Sequence, residues 1–406
     1  MTPQSRGFVV LLSAITALAP LGIDTSLPAL PIMARALRTS DETIQATLGA
    51  FMLAFAFGQL VVGPLSDRFG RRPVVVTGMA IFALAGALCT VASDGRLLVA
   101  ARFVQGFGAC AGAVVGRAII RDIYTERTRA AQMQAYAAAI SGIVPMLAPL
   151  LGAALLPLGW RAIYAALFGA GMLLLAVTAV WLPESLTVRA ASARIGPVFA
   201  NYRRFLALPR SAALCVLVAC SFAGLFAFIS GSPFVLVREL GLSNTNYGIA
   251  FAVSSGSILA GSYSAAVLAH RIGSERMLAG AAIVAALAGS AVAARSVFAP
   301  QAPAAWQFVA LMAGYAFTFG VIVPNAFAAA LERAGAMAGL GAGMLGASQM
   351  LGGSLGSMVN GILPFKPHVG VGLSVGIAGL GVAAAYAWSR HGARSVVRTV
   401  AVALRD

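Results

Sequence analysis

Charge is scarce in this chain. Only 10% of its 406 residues are Asp, Glu, Lys or Arg, against about a quarter in a soluble domain. There is one lysine, Lys366, and there are twelve acids. The three histidines, His270, His368 and His391, lack the spacing of metal ligands, and Cys89, Cys110, Cys215 and Cys220 form no CxxC pair. These shortages exclude a disulfide framework and a metal centre as organising devices. No cofactor and no metal is expected. Heptad, zinc and P-loop patterns are missing too. GFGACAG (106–112) sits inside an apolar run without a preceding strand, so it is not a nucleotide loop.

What the chain has instead is apolar length. It is 60% hydrophobic, with a mean hydropathy of +0.90. A membrane span needs about 20 apolar residues, and twelve stretches qualify. They lie near 7–27, 44–66, 73–93, 96–118, 133–157, 160–182, 211–232, 247–268, 277–297, 304–326, 336–362 and 368–388. The four cysteines fall within these stretches, as small core residues do. The start MTPQSRGFVV carries no small-residue cleavage site, so the first span is expected to remain uncleaved. The expected fold class is an all-α membrane protein.

The formal charge is +16, from 27 arginines and Lys366. Position explains it better than nucleic acid does. Sorted by the twelve spans, twenty arginines fall on the side of the N-terminus and seven basic residues on the other, with Arg102 inside a span. The positive-inside rule then places both termini in the cytoplasm. The bilayer is the expected partner and nucleic acid is not.

The longest polar break runs from Pro183 to Arg210 and divides the spans six and six. The chain therefore reads as an N-terminal bundle (1–182), a cytoplasmic linker (183–210) and a C-terminal bundle (211–406). A weak repeat relates the halves. GPLSDRFGRRPVVVTG (63–78) aligns with AVLAHRIGSERMLAGA (266–281) at an offset of 203, matching Arg68 and Gly70 to Arg271 and Gly273, with His270 in place of Asp67. Two related six-helix bundles about a pseudo-two-fold axis are one recognised transporter plan, the major facilitator fold. Gly335, Gly339 and Gly343, and again Gly352 and Gly356, give small-xxx-small steps for close helix packing.

One acid breaks the pattern. Asp24 lies inside the apolar run Gly7–Leu30, whereas every other Asp or Glu falls in a loop or at a helix end. A carboxylate at membrane depth pairs, lines a wet cavity or carries a proton. It also suits a turn or helix end, here the break at Pro28. Arg102 in the outer third of its span either snorkels or faces the bundle interior.

Four strings carry a family resemblance. GPLSDRFGRRP (63–73) resembles the signature loop, motif A, of the major facilitator superfamily. LLVAARFVQGFGACAGAVVGRAIIRDIY (97–124) resembles motif B, with Arg102 at its buried arginine. SGIVPMLAPLLGAAL (141–155) resembles the antiporter motif C, although Ala148 and Ala153 stand where glycines are usual. IDTSLPALP (23–31) resembles the first-span motif of the bicyclomycin-resistance (Bcr/CflA) subfamily, with Thr25-Ser26 replacing a common Met-Tyr. GWRAIY (159–164), WLPESL (181–186) and VPNAFAAAL (323–331) add to the match.

The resemblance implies a twelve-span inner-membrane drug:proton antiporter and not an enzyme. Asp24 and Arg102 would serve proton and substrate. Gly63, Asp67, Arg68, Gly70, Arg71, Arg72 and Asp122 would form the inner gate, with Asp67 meeting the start of span eleven. Pro145, Pro149 and Gly152 would form motif C. Partners would be protons and a small molecule, and the chain would act as a monomer. An exporter of an endogenous metabolite, such as an amino acid or sugar-like compound, would carry the same motifs. A non-transporting sensor would need neither the gate loop nor Asp24, and a membrane enzyme would need a polar cluster that only Asp24 and Arg102 begin to supply. Phe51, Phe55, Phe222, Phe226, Phe228, Tyr315 and Phe319 either line a central cavity or simply pack.

Overall fold

The computed structural model describes residues 6–124, 126–186, 195–299, 301, 303–332 and 338–403. Gly335, Arg189, Arg194, Arg333, Arg405 and the first two residues of the eleventh expected span lie outside them. Helix is the only regular secondary structure among the described residues, which include no strand. In order they form α1 (Arg6–Asp24), a 3-10 turn (Leu27–Ala29), α2 (Leu30–Ala36), α3 (Asp41–Phe69), α4 (Arg71–Thr90), α5 (Gly95–Ile123), α6 (Arg127–Leu155) and α7 (Trp160–Trp181). After these come α8 (Ile195–Ala207), α9 (Pro209–Pro233), a π-helical turn (Phe234–Glu239), α10 (Asn244–Ile272), α11 (Ser274–Phe298), α12 (Ala305–Leu331), α13 (Ala338–Ile362) and α14 (Pro367–Ala403).

Eleven helical segments among the described residues are long and apolar enough to cross a bilayer, from Gly7–Ala36 to Pro367–His391. Twelve spans are expected from the sequence. The one not among these eleven, α13 in the eleventh expected span, has 25 residues, about 37 Å at 1.5 Å per residue, so its length is sufficient. Its hydropathy is diluted by eight glycines and by Ser348, Gln349, Ser354, Ser357 and Asn360. With this many apolar helices, the chain is a multi-pass membrane protein. Leu84, Leu147, Leu173, Ile283 and Leu355 stay outward and exposed, as bilayer-facing side chains do.

Helix ends are set by local chemistry. Ser40 caps α3 by accepting from the Thr43 amide at 3.2 Å, and Asp94 caps α5 by accepting from the Leu97 amide at 2.9 Å. That bond holds the exposed Asp94 carboxyl below the usual carboxylate range. Backbone amides at a helix start need such acceptors.

The chain forms two compact units, one of residues Met1–Arg194 with Ser232–Val253, the other of Ile195–Gly231 with Ser254–Asp406. In the first, α5 is the spine, with α1, α3 and α4 packed on it. The GFGACAG stretch is that spine's contact surface. Gly106 faces the Phe51 carbonyl, and a Cβ on Gly112 would lie 2.6 Å from the Ile15 carbonyl oxygen. In the second unit, α11 packs on α14 and α12, and Gly352 and Gly356 of α13 seat against the backbone of Ala219 and Ala223 in α9. Both sets follow the small-residue rule of membrane helix packing.

Candidate functional site

The first apolar run does not form one helix. α1 carries Pro20 and stops at Asp24, and the chain turns through Thr25 and Ser26 before the 3-10 turn Leu27–Ala29, which holds Pro28. The Thr25 hydroxyl donates to the Leu21 carbonyl at 2.7 Å and the Ser26 hydroxyl to the Ile23 carbonyl at 3.0 Å. They satisfy helix-end acceptors that water cannot reach at this depth. Asp24 itself is only 5% exposed. Among the described residues it makes no ion pair. It caps nothing: the residue before the 3-10 turn is Ser26, without a side-chain cap. The Tyr247 hydroxyl of α10 lies within its electrostatic reach. α6 locks the break in place. Gly152 sits directly on the Thr25 carbonyl, where a Cβ would also come within 3.1 Å of the Pro28 ring. Pro149 is buried one turn earlier in α6, and Pro145 is half-buried.

Arg102 does not snorkel. It is fully buried on α5 and donates to the Gln105 side-chain oxygen at 2.6 Å. Its guanidinium lies over the Phe51 ring at 4.5 Å and over the Tyr164 ring at 5.8 Å. The aromatic faces replace part of the lost hydration. Its Nε and Nη2 have no acceptor, and no acid pairs with it among the described residues. A buried cation left in this condition is costly, so the site holds donor capacity in reserve. Tyr164 also touches the Met33 sulfur at 3.7 Å and stands beside Ser26. The surroundings of Arg102 and the Asp24 break thus meet through Tyr164, without the two charges pairing.

The 63–73 loop builds a compact charge cluster. Gly70, at φ 104°, ends α3 and starts α4, a conformation that L side chains rarely adopt. Arg71 then folds back. Its guanidinium meets Asp67 at 2.6 Å, Asp122 of α5 at 2.9 Å and the Ser66 hydroxyl at 2.6 Å. Ser185 donates to the same Asp122 oxygen at 3.2 Å. The α4 amides find their acceptor in Glu184, which takes the Arg71 amide at 2.9 Å and the Arg72 amide at 3.2 Å. Gly70 leaves room for that carboxylate, since any Cβ would strike it. Arg72 donates to the Ala179 carbonyl, Arg68 stacks on Phe69 at 5.1 Å, and Gly63 faces Val114 of α5.

Glu184, Ser66, Ser185, Tyr164 and Tyr247 are the site residues that sequence reasoning missed. Glu184 stands in the WLPESL match, but only the folded chain brings it to α4, 112 positions from Arg72. Of the seven aromatics, Phe51 lies under Arg102, and Phe55, Phe228 and Tyr315 are buried. Phe222 stacks with Phe319 at 5.2 Å and lies 4.5 Å from Phe226. Tyr315 donates to the Ser221 carbonyl at 3.4 Å. An apolar groove of about 360 Å³ opens between α3, α4 and α5, lined by Val62, Leu65, Phe69 and Phe107, and none of the seven borders it.

A polytopic helical chain with a broken first helix, a buried acid and a buried arginine has the architecture of a secondary transporter. Residues 12–357 match the Major Facilitator Superfamily profile, and the chain belongs to that family. It is therefore a transporter of small molecules and not an enzyme. It is 32% identical to the MFS-type transporter YdgK of Bacillus subtilis, over 87% of this chain and 88% of the relative. It is 30% identical to a bicyclomycin resistance protein homolog of Haemophilus influenzae, again over 87% and 88%. A solved bacterial homolog of the human lysosomal transporter Spinster, inward-facing and occupied, superposes with a TM-score of 0.74 at 17% identity, covering 97% of this chain and 98% of that one. The fold is the major facilitator fold.

Proposed function

We propose that this chain exports small amphipathic compounds across the inner membrane in exchange for protons. The observation that carries the reading is Asp24, a buried carboxylate without an ion-pair partner among the described residues, at the break of the first span. A group so placed has a use in two protonation states. Protonated, it is neutral and tolerable at depth; ionised, it has a charge to offer to a cargo or a proton. Arg102 supplies donors that no acid occupies among the described residues. Similarity to a relative named for bicyclomycin resistance favours drugs as cargo. The driving force is adequate: one charge crossing about 150 mV yields about 3.5 kcal/mol, a gradient of roughly 300-fold for neutral cargo.

The same reading has the charge cluster at Asp67, Arg71 and Asp122 act as the inner gate, and the proline-bearing α6 as the antiporter element. Residues 1–182 and 211–406 would form two bundles joined by the 183–210 linker, in a monomer with both termini cytoplasmic.

A susceptibility panel tests the cargo. Expression in a strain stripped of its own pumps is expected to raise the inhibitory concentration of several amphipathic antibiotics at least fourfold. No change for any drug, together with a metabolite accumulating in a deletion strain, would assign the chain to metabolite export instead. The twenty-to-seven charge split predicts the topology. Reporter fusions after Arg210 and at Asp406 are expected to read cytoplasmic, and a periplasmic signal at either point would overturn the map.

A further inference from the structure

The segment Ser232–Val253 departs from the rest of its two helices. The remainder of α9 and α10 lies in the second compact unit, but this hairpin packs with Met1–Arg194. Its contacts there include the following. Arg238 meets Asp41 through two parallel bonds, Nη1 to Oδ1 at 2.8 Å and Nη2 to Oδ2 at 2.6 Å. Gly248 seats on Leu150 of α6, where a Cβ would come within 2.5 Å. Tyr247, fully buried, shares a 3.1 Å hydrogen bond with Ser232 and stands within electrostatic reach of Asp24. Of these, the Arg238–Asp41 contact joins opposite charges.

That contact is also the one whose geometry is specially prepared. Pro233 offers no amide hydrogen, and directly after it the helix widens into the π turn that carries Arg238. In α register the one-residue difference would swing this side chain by about 100°, away from its present aim; π turns are concentrated at functional positions. Phe234 supports the guanidinium at 5.0 Å. Asp41 lies in the first turn of α3, where the helix dipole favours a carboxylate. Forked arginine–carboxylate pairs are strong and directional.

We propose that the Arg238–Asp41 fork is a latch that holds the Ser232–Val253 hairpin closed over the Asp24 region and releases once in each transport cycle. Its side chains are 43% and 34% exposed, so water competes with the bond. An exposed pair of this kind shifts an equilibrium by about two- to fivefold. That suits a contact which must break and re-form, whereas a fully buried pair would resist release. The latch requires a transporter that alternates; it requires neither proton coupling nor drug cargo.

Two measurements test it. In the first, Ser232→Cys is labelled with a membrane-impermeant maleimide in vesicles of both orientations, with the parent as background. Adding Arg238→Ala or Asp41→Asn is expected to raise the labelling rate about two- to fivefold from one face only, and unchanged rates in both variants overturn the latch. The labelled face reads topology separately. In the second, Asp41→Cys with Arg238→Cys is bridged by a short bifunctional thiol reagent and ethidium efflux is followed. Efflux is expected to stop on bridging and return on reduction; undiminished efflux from the bridged protein overturns the latch. Absence of efflux before bridging would count against drug cargo alone, leaving labelling to decide. Failure of every variant to reach the membrane would make the pair a permanent staple and also overturn the proposal.

Discussion

Asp24→Asn is expected to abolish proton-driven export while leaving the protein inserted and folded. The substitution keeps volume and polarity and removes the only carboxylate at the break of the first span. Because Asp24 has no ion-pair partner among the described residues, its loss strands no buried cation, so stability should hold. An amide resembles the protonated carboxyl, so substrate binding should persist. In everted vesicles, drug addition releases protons from the parent and is expected to release none from the variant. Parent-like release would remove Asp24 from the proton path. Parent-like export without proton release would separate transport from coupling and point to another driving ion.

The second large effect is expected at Arg71, and it should exceed the effect at Asp67. Arg71 is the hub: its side chain is 8% exposed and gathers Asp67, Asp122 and Ser66. Asp67 is half exposed, so water replaces much of what it loses. Asp67→Ala should therefore cost within about 1 kcal/mol of stability yet cripple transport, because the gate loses a member. Arg71→Ala leaves Asp122 without its cation. Removing one partner of a buried pair costs about 3–5 kcal/mol; partial exposure of both acids brings the expectation to about 2 kcal/mol. Thermal unfolding in detergent and dye efflux at matched expression separate the two. Equal destabilisation by both variants would refute the hub, and near-parent transport by Asp67→Ala would reduce that residue to a helix-end cap.

Much of this arrangement is legible in the chain itself, for physical reasons. Apolar length marks spans because a bilayer demands it, and a carboxylate in such a run stands out because it is expensive there. Asp24 and Arg102 are found in this way, and the 63–73 loop by its resemblance to motif A. α13 shows the limit of hydropathy, since glycines that allow close packing also lower the apolar signal. Arg102 shows another: sequence leaves open whether it snorkels, and only the Phe51 and Tyr164 rings, from two other helices, decide that it does not. Glu184 and Tyr247 are invisible for the same reason. Each is ordinary in its own segment and gains meaning from a partner more than a hundred positions away.

The carboxylate of Glu184 has a mechanical consequence. By accepting from the Arg71 and Arg72 amides, it moors the chain just past the end of α7, before the long polar segment toward α9 begins. Tugging along that segment is absorbed at the mooring and does not reach α7. The packing of α4 on α7 is thus shielded from load applied to the chain beyond Leu186.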